Sequence, residues 1–282
     1  MVIRQKITLL LAAMLLSACQ QISTTQGGAI GADRRQNMSM LLSEQQVQEM
    51  AGKAYAEETG KARHKGALNT NPAVTARVRG IANRLIPQVA IFRVDAARWN
   101  WEVNVENSPD INAYCMAGGK IMVFSGLIEK LKLTDDELAQ IMGHEISHAL
   151  REHTRERMSE AYTRMMGFTL LSVVTGGRYA GALDLANQVT EVAYTLPNSR
   201  EHESEADIMG LELAARAGYH PNAAITLWQK MAKASEGKTP EFLSTHPSHS
   251  TRISELQARI PQVMPLYQEA IKRYPAPSKL RN

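Results

Sequence analysis

Hydrophobic and polar positions divide the chain into stretches of distinct period. Residues 42–62, "LSEQQVQEMAGKAYAEETGKA", predict a helix with Ser43 as N-cap and Glu44 and Gln46 in its first turn. Val74, Val78, Ile81 and Leu85 recur at helical spacing in "PAVTARVRGIANRLIPQV", residues 72–89, which predicts a second helix. The period changes at "WNWEVNVEN". There Trp99, Trp101, Val103 and Val105 alternate with polar neighbours, as in a half-buried strand. "KIMVF", residues 120–124, predicts another strand behind the punctuation of Gly118-Gly119. From "LTDDELAQIMGHEISHALREH" onward helix predominates, starting at a capping box of Thr134 with Glu137. Residues 165–197 predict two amphipathic helices joined at Gly176-Gly177, forming either a lid or an exposed hairpin. The expected class is α+β, mainly helical, with a small mixed or antiparallel sheet beside the helix that starts at Thr134.

Composition narrows the classes. The 282 residues are 44% hydrophobic and 21% charged, with a net charge of +4. That suits one sizeable core. Acidic and basic residues are interspersed, so a nucleic-acid role has little support. Arg4 and Lys6 precede a short apolar run, and "LSAC" closes it at Cys19. The run is too short to anchor in a bilayer, and its order is that of a secretory signal. "LSAC" is similar to a bacterial lipobox. This implies a signal peptide over residues 1–18, lipidation of Cys19 and a membrane anchor through that lipid. Gln20 follows where an Asp would favour the inner membrane, which points to the outer membrane. Residues 19–40 are then expected to be a lipidated, flexible tether, with a single domain over 41–282. Cys115, the other cysteine, is expected as a small buried apolar residue.

The chemistry concentrates in "IMGHEISHAL", residues 141–150. Positions four apart on a helix lie about 40° from each other around its axis, one turn along. His144 and His148 therefore aim two imidazoles at one point, as a tetrahedral zinc ion requires. Glu145 sits beside that point as a general base. Apolar flanks argue against a solvent-facing polar patch. A catalytic zinc takes three protein ligands. Arg151 and Thr154 stand where one class would need Gly and His. His153, nearly opposite His144 around a continuous helix, is expected at the surface. In "NSREHESEADIMGLELAARAG", Glu203 and Asp207 lie four apart on one face, so that Glu203 can serve as the third ligand while Asp207 bonds the far nitrogen of a ligand histidine; the alternative is a solvated face of a Glu-rich helix.

"HEISHA" and "NSREHESEAD" together resemble the two signatures of the HtpX-like and CAAX-prenyl-protease family of zinc endopeptidases. Ser199, Arg200, Glu203, Ala206 and Asp207 match the second signature in full. "NAYCMAGGKIMVFSGLI" is similar to the segment ahead of that family's zinc helix, and "STHPSHSTRI" to its C-terminal motif. The resemblance covers residues 70–260 or so. It implies a zincin-like core with one Zn2+ per chain on His144, His148 and Glu203. It also implies Glu145 as general base, Asp207 behind a ligand, and His246 as the donor to the oxyanion of a tetrahedral intermediate. Arg252 is left between assisting the site and only pairing with acids. The pattern is similar to the periplasmic lipoprotein members, which implies endoproteolysis of misfolded or misassembled envelope proteins.

Gly118-Gly119 is open to two readings. One is a plain hairpin turn. The other leaves the edge from Gly119 through Lys120, Ile121 and Met122 open, so that a substrate backbone adds to it as a strand. A chaperone or assembly factor with a structural or regulatory zinc is the rival function, though nothing in holding zinc needs Glu145.

Overall fold

A computed structural model describes residues 19–174, 197–235, 239–247 and 251–274. The expected signal segment, the junction at Gly176-Gly177 and His249 lie outside them. Strand β1 (Cys19–Ile22) pairs antiparallel with β2 (Gln36–Ser39). Helix α1 (Glu44–His64) starts at Ser43 with a complete capping box. Helix α2 (Pro72–Leu85) ends sooner than its apolar spacing suggests. Residues Ile86–Ile91 tighten into a 3-10 turn around Pro87, which lacks an N–H to continue the ladder. A three-stranded sheet follows, built from β3 (Glu102–Glu106), β4 (Ala113–Met116) and β5 (Lys120–Phe124). Trp99 and Trp101 precede β3 rather than joining it. Helices α3 (Ser125–Leu131), α4 (Asp135–Leu150) and α5 (His153–Val174) come next, then α6 (Arg200–Arg216), α7 (Ala223–Ala234), α8 (Glu241–Thr245) and α9 (Arg252–Arg273). No helix among the described residues is long and apolar enough to cross a membrane.

Helix α4 is the structural axis. Thr134 accepts from the Glu137 N–H while the Glu137 carboxylate accepts from the Thr134 N–H, so two orphan donors of the first turn are satisfied. Every residue from Glu137 to Leu150 is buried. The helix packs on α6, β4, α2 and α7. Its approach to α6 is set by two glycines: a Cβ on Gly210 would stand 2.6 Å from the His144 nitrogen, and one on Gly143 would stand 2.8 Å from the Gly210 oxygen. This backbone-to-backbone contact brings side chains of both helices toward one small volume.

The sheet order is β3-β5-β4, with β3 parallel and β4 antiparallel to β5. This corrects the expected open edge at Gly119, Lys120, Ile121 and Met122. Strand β5 is central, so its backbone groups are engaged by neighbours on both sides. Lys120 pairs with Glu102, the Ile121 carbonyl accepts from the Tyr55 hydroxyl at 2.6 Å, and the Gly119 α-carbon is covered by the Trp101 ring. Among the described residues, the edge beside α4 that has no neighbouring strand belongs to β4.

Residues 20–40 are not the flexible tether their composition suggested. Ile30, Ala32 and Met38 are buried, and Gln36 is wholly so. The backbone N–H groups of Ala29 and Ile30 donate to Glu212 on α6, and Arg259 of α9 donates to the Ile30 carbonyl at 2.8 Å. The segment is thus held by contacts from residues more than a hundred positions away, which local composition does not report.

Candidate metal centre

Helix α4 presents His144, Glu145 and His148; α6 presents Glu203 and Asp207; His246 closes α8 and Arg252 opens α9. Ser199 caps α6 by accepting from the His202 N–H at 3.2 Å, which sets the register of Glu203 four positions on. One potential ligand atom from each of His144, His148, Glu203 and His246 lies within 4.8 Å of the others, and all four residues are buried.

The donor set fits a cation. His144 Nδ1 lies 3.0 Å from Asp207 Oδ1, and a carboxylate only accepts, so the hydrogen sits on Nδ1 and the Nε2 lone pair faces inward. His148 Nε2 is 3.0 Å from His144 Nε2, and His246 Nδ1 is 3.2 Å from the same atom. Glu203 adds Oε1 at 3.4 Å from His148 Nε2 and Oε2 at 3.5 Å from His144 Nε2. Lone pairs repel when they converge without a positive charge between them. Ligand atoms of one tetrahedral zinc stand about 3.3 Å apart, close to the separations seen here. Among the described residues Glu203 Oε2 is buried with no aligned hydrogen bond, and Arg252 Nη1 stands 3.1 Å from it.

Burial opposes ionisation of Glu203, but His246, His144 and His148 outweigh it and hold its carboxyl well below the usual range. Glu145 behaves oppositely. Burial pushes it up to about 7, with His246 opposing and Glu203 assisting. Its Oε1 is buried without a hydrogen bond, and the Cys115 backbone on β4 bonds its carboxylate. A carboxyl group poised near neutrality, beside the free edge of β4, can both take and return a proton. Burial also lowers His148 well below the ordinary imidazole value, keeping it neutral as a ligand must be.

A model of peptidase family M48 matches residues 72–260. The chain belongs to peptidase family M48. The M48 chain is 28% identical to metalloprotease LoiP of Escherichia coli over 265 residues, covering 92% of this chain and 98% of that protein. It is 40% identical to the mitochondrial metalloendopeptidase OMA1 of Arabidopsis thaliana over 154 residues, covering 54% of this chain and 30% of that one. With the β-barrel assembly-enhancing protease of Yersinia pestis it shares 29% identity over 238 residues, or 77% of this chain and 45% of that protein. The M48 chain spans between 30% and 50% of the length of its OMA1 relatives.

His246, expected as the donor to the oxyanion, has its Nδ1 among the candidate ligand atoms, 3.0 Å from Glu203 Oε1, with Nε2 3.5 Å from Glu145 Oε1. One placement at this centre differs from the sequence reading. His153 was expected at the surface and is fully buried. The angular argument assumed a continuous helix. Helix α4 stops at Leu150, Glu152 takes a left-handed φ of 52°, and α5 then begins with His153 turned back toward the site. Arg252 does pair with acids, and they are those of the site: its Nε is 2.6 Å from Asp207 and its Nη1 is 3.1 Å from Glu203. Trp228 lies against that guanidinium at 3.3 Å from the ring centroid, and Asn198 reaches toward His246 at 3.4 Å. Neither was singled out from the sequence, because no local spacing links them to the motif. Cys115 is buried and free, as its composition suggested.

Proposed function

We propose that this M48 peptidase is a zinc-dependent endopeptidase of the bacterial envelope, acting on misfolded or misassembled periplasmic and outer-membrane proteins. The observation that carries the reading is the meeting of His144, His148 and Glu203 beside an otherwise unbonded Glu145 oxygen. His144, His148 and Glu203 would hold the ion, with Asp207 fixing the tautomer of His144. The chemistry that zinc supplies when bound is Lewis-acid polarisation of water and of the scissile carbonyl. Glu145 takes the proton of the attacking water and returns it to the leaving amine nitrogen. The substrate backbone lies along the free edge of β4 rather than β5, over a cleft of about 570 Å³ lined by Tyr114, Met116, Phe124 and His246. Main-chain pairing of that kind reads extended backbone more than side chains, which suits unfolded segments. The "LSAC" motif supports lipidation at Cys19 and anchoring to the outer membrane. The likeness to LoiP and to a β-barrel assembly-enhancing protease supports envelope substrates.

The test is Glu145→Gln. It is expected to keep zinc and to lower cleavage of casein by about 10²–10⁴-fold, the range for loss of a general base. Normal cleavage by that variant would mean that Glu145 is not the general base, and a zinc-loaded wild type that leaves casein uncut would make the chaperone reading, with zinc for structure, the better account. His246 has a separate test. A catalytic zinc keeps one position open. His246 Nδ1, 3.0 Å from Glu203 Oε1, either donates a hydrogen to that carboxylate or, without that hydrogen, serves as a fourth donor that closes the position. Raised turnover in His246→Ala supports closure. A loss of about 10²-fold or more in kcat would return the residue to the oxyanion role.

A further inference from the structure

Among the described residues His148 has no carboxylate at its Nδ1. The nearest partner is another ring: His153 Nδ1, at 2.8 Å. The other nitrogen of His153, Nε2, is 2.9 Å from Glu205 Oε2. The carboxylate can only accept, so His153 Nε2 carries a hydrogen. One hydrogen remains for the contact between the two Nδ1 atoms. Placed on His148, it leaves the His148 Nε2 lone pair facing His144 and Glu203. Placed on His153, it makes a second charged group in a dry site beside Arg151, and it leaves a hydrogen on the His148 nitrogen that must ligate. The first arrangement is the one the geometry allows. His148 donates to His153, and His153 donates to Glu205.

Glu205 is itself clamped. It accepts from Arg34 Nε at 2.9 Å and from Arg151 Nη2 at 2.8 Å. The remaining nitrogens of Arg34 fork onto Glu156 at 2.7 and 2.8 Å. Gln36 adds a bond to Glu156 at 2.9 Å. Arg34 and Gln36 belong to the segment between Cys19 and Ser39 that folds onto α5 and α6. We infer that His153 and Glu205 are positioning residues for the metal ligand His148, and that Arg34 of the N-terminal segment holds this relay in place.

The inference rests on the zinc reading, and its test separates the two. Zinc affinity is measured by competition with a chromophoric chelator, and the cobalt-substituted protein is examined by its visible ligand-field spectrum. The variants are His153→Met and His153→Gln, which both fill the space. Only glutamine can accept from His148 and donate to Glu205. The methionine variant is expected to bind zinc about 10–100-fold more weakly, the usual cost of losing a group behind a ligand, and to shift the cobalt bands. The glutamine variant is expected to stay near the wild type in both. Equal affinities in the two variants would overturn the inference, since packing alone would then explain the residue. Should His153→Met fail to fold, Arg34→Ala decides. A several-fold loss of zinc affinity supports the clamp, and an unchanged affinity overturns it. Zinc retained undiminished by Glu203→Ala would instead sink the zinc reading itself.

Discussion

The two flanks of helix α4 hold its histidines by different means. On the side of α6 and α9, His144 meets Asp207 directly at 3.0 Å, and Arg252 grips that carboxylate at 2.6 and 2.7 Å. The Arg252 side chain is 1% exposed. On the side of α5 and the N-terminal segment, His148 reaches Glu205 only through His153, and the closing Arg34 side chain is 32% exposed. The first flank is short and dry. The second is long and has one end in water. Charge pairs strengthen as water leaves them, so the short flank carries more energy per contact. The long flank instead links a ligand to a segment that begins at Cys19, the residue proposed to carry the lipid anchor.

The largest effect should come from breaking the dry flank. Arg252→Ala leaves Glu203 and Asp207 buried without their counter-charge, and removal of one partner of a buried pair costs about 3–5 kcal/mol. Thermal unfolding of the zinc-free protein should show that loss. Added zinc should recover part of it, because the ion supplies positive charge to Glu203. A smaller cost is expected from Gly210→Ala, which sets a methyl group against the His144 backbone at the crossing of α4 and α6. Overpacking there should cost about 1–3 kcal/mol and weaken zinc binding through both flanks at once. Weaker binding with no change in stability would mean that the crossing yields elsewhere. Arg34→Ala should cost about 1–2 kcal/mol in unfolding free energy, at the low end for hydrogen bonds to charged groups because the side chain is partly solvated. If Arg34→Ala costs as much as Arg252→Ala, the contrast between the flanks is wrong.

The flanks also differ in how much of them the sequence discloses. His144, Glu145 and His148 are legible because a helix fixes where positions one turn apart point, and the cap at Thr134 announces that helix. Glu203 and Asp207 are legible by the same spacing on α6. The long flank is not. The break between α4 and α5 occurs at Glu152, a residue with no glycine-like signature, so His153 reads as lying on the far side of an unbroken helix. The N-terminal segment reads as a tether because what orders it, Glu156, Glu205 and Glu212, lies far along the chain. Strand order is hidden for a related reason. "KIMVF" has the pattern of a buried strand, but that it sits between β3 and β4 depends on tertiary pairing alone. Local periodicity reports which face is buried, and says little about what covers it.

The smallest effect concerns acid stability and falls on the long flank. Burial alone would raise the Glu156 carboxyl, but hydrogen bonds from Arg34, His202 and Gln36 overcome it and hold the group far below its ordinary 4.5. A carboxyl whose folded value is depressed contributes stability that is complete above the unfolded value. That contribution is lost as the pH falls toward the folded one. The zinc-free protein should therefore lose stability below about pH 4.5, with Glu156 contributing at most ~1.4 kcal/mol per pH unit, the equivalent of one proton. Glu156→Gln lowers stability at neutral pH and removes this share of the acid slope. Denaturant unfolding at several pH values between 3 and 6 would show the curve of the variant running flatter than that of the wild type. Parallel curves would mean that Arg34 and His202 give up their hold on Glu156 before the protein unfolds. The long flank would then already be open in acid while Asp207 and Arg252 still hold the short one.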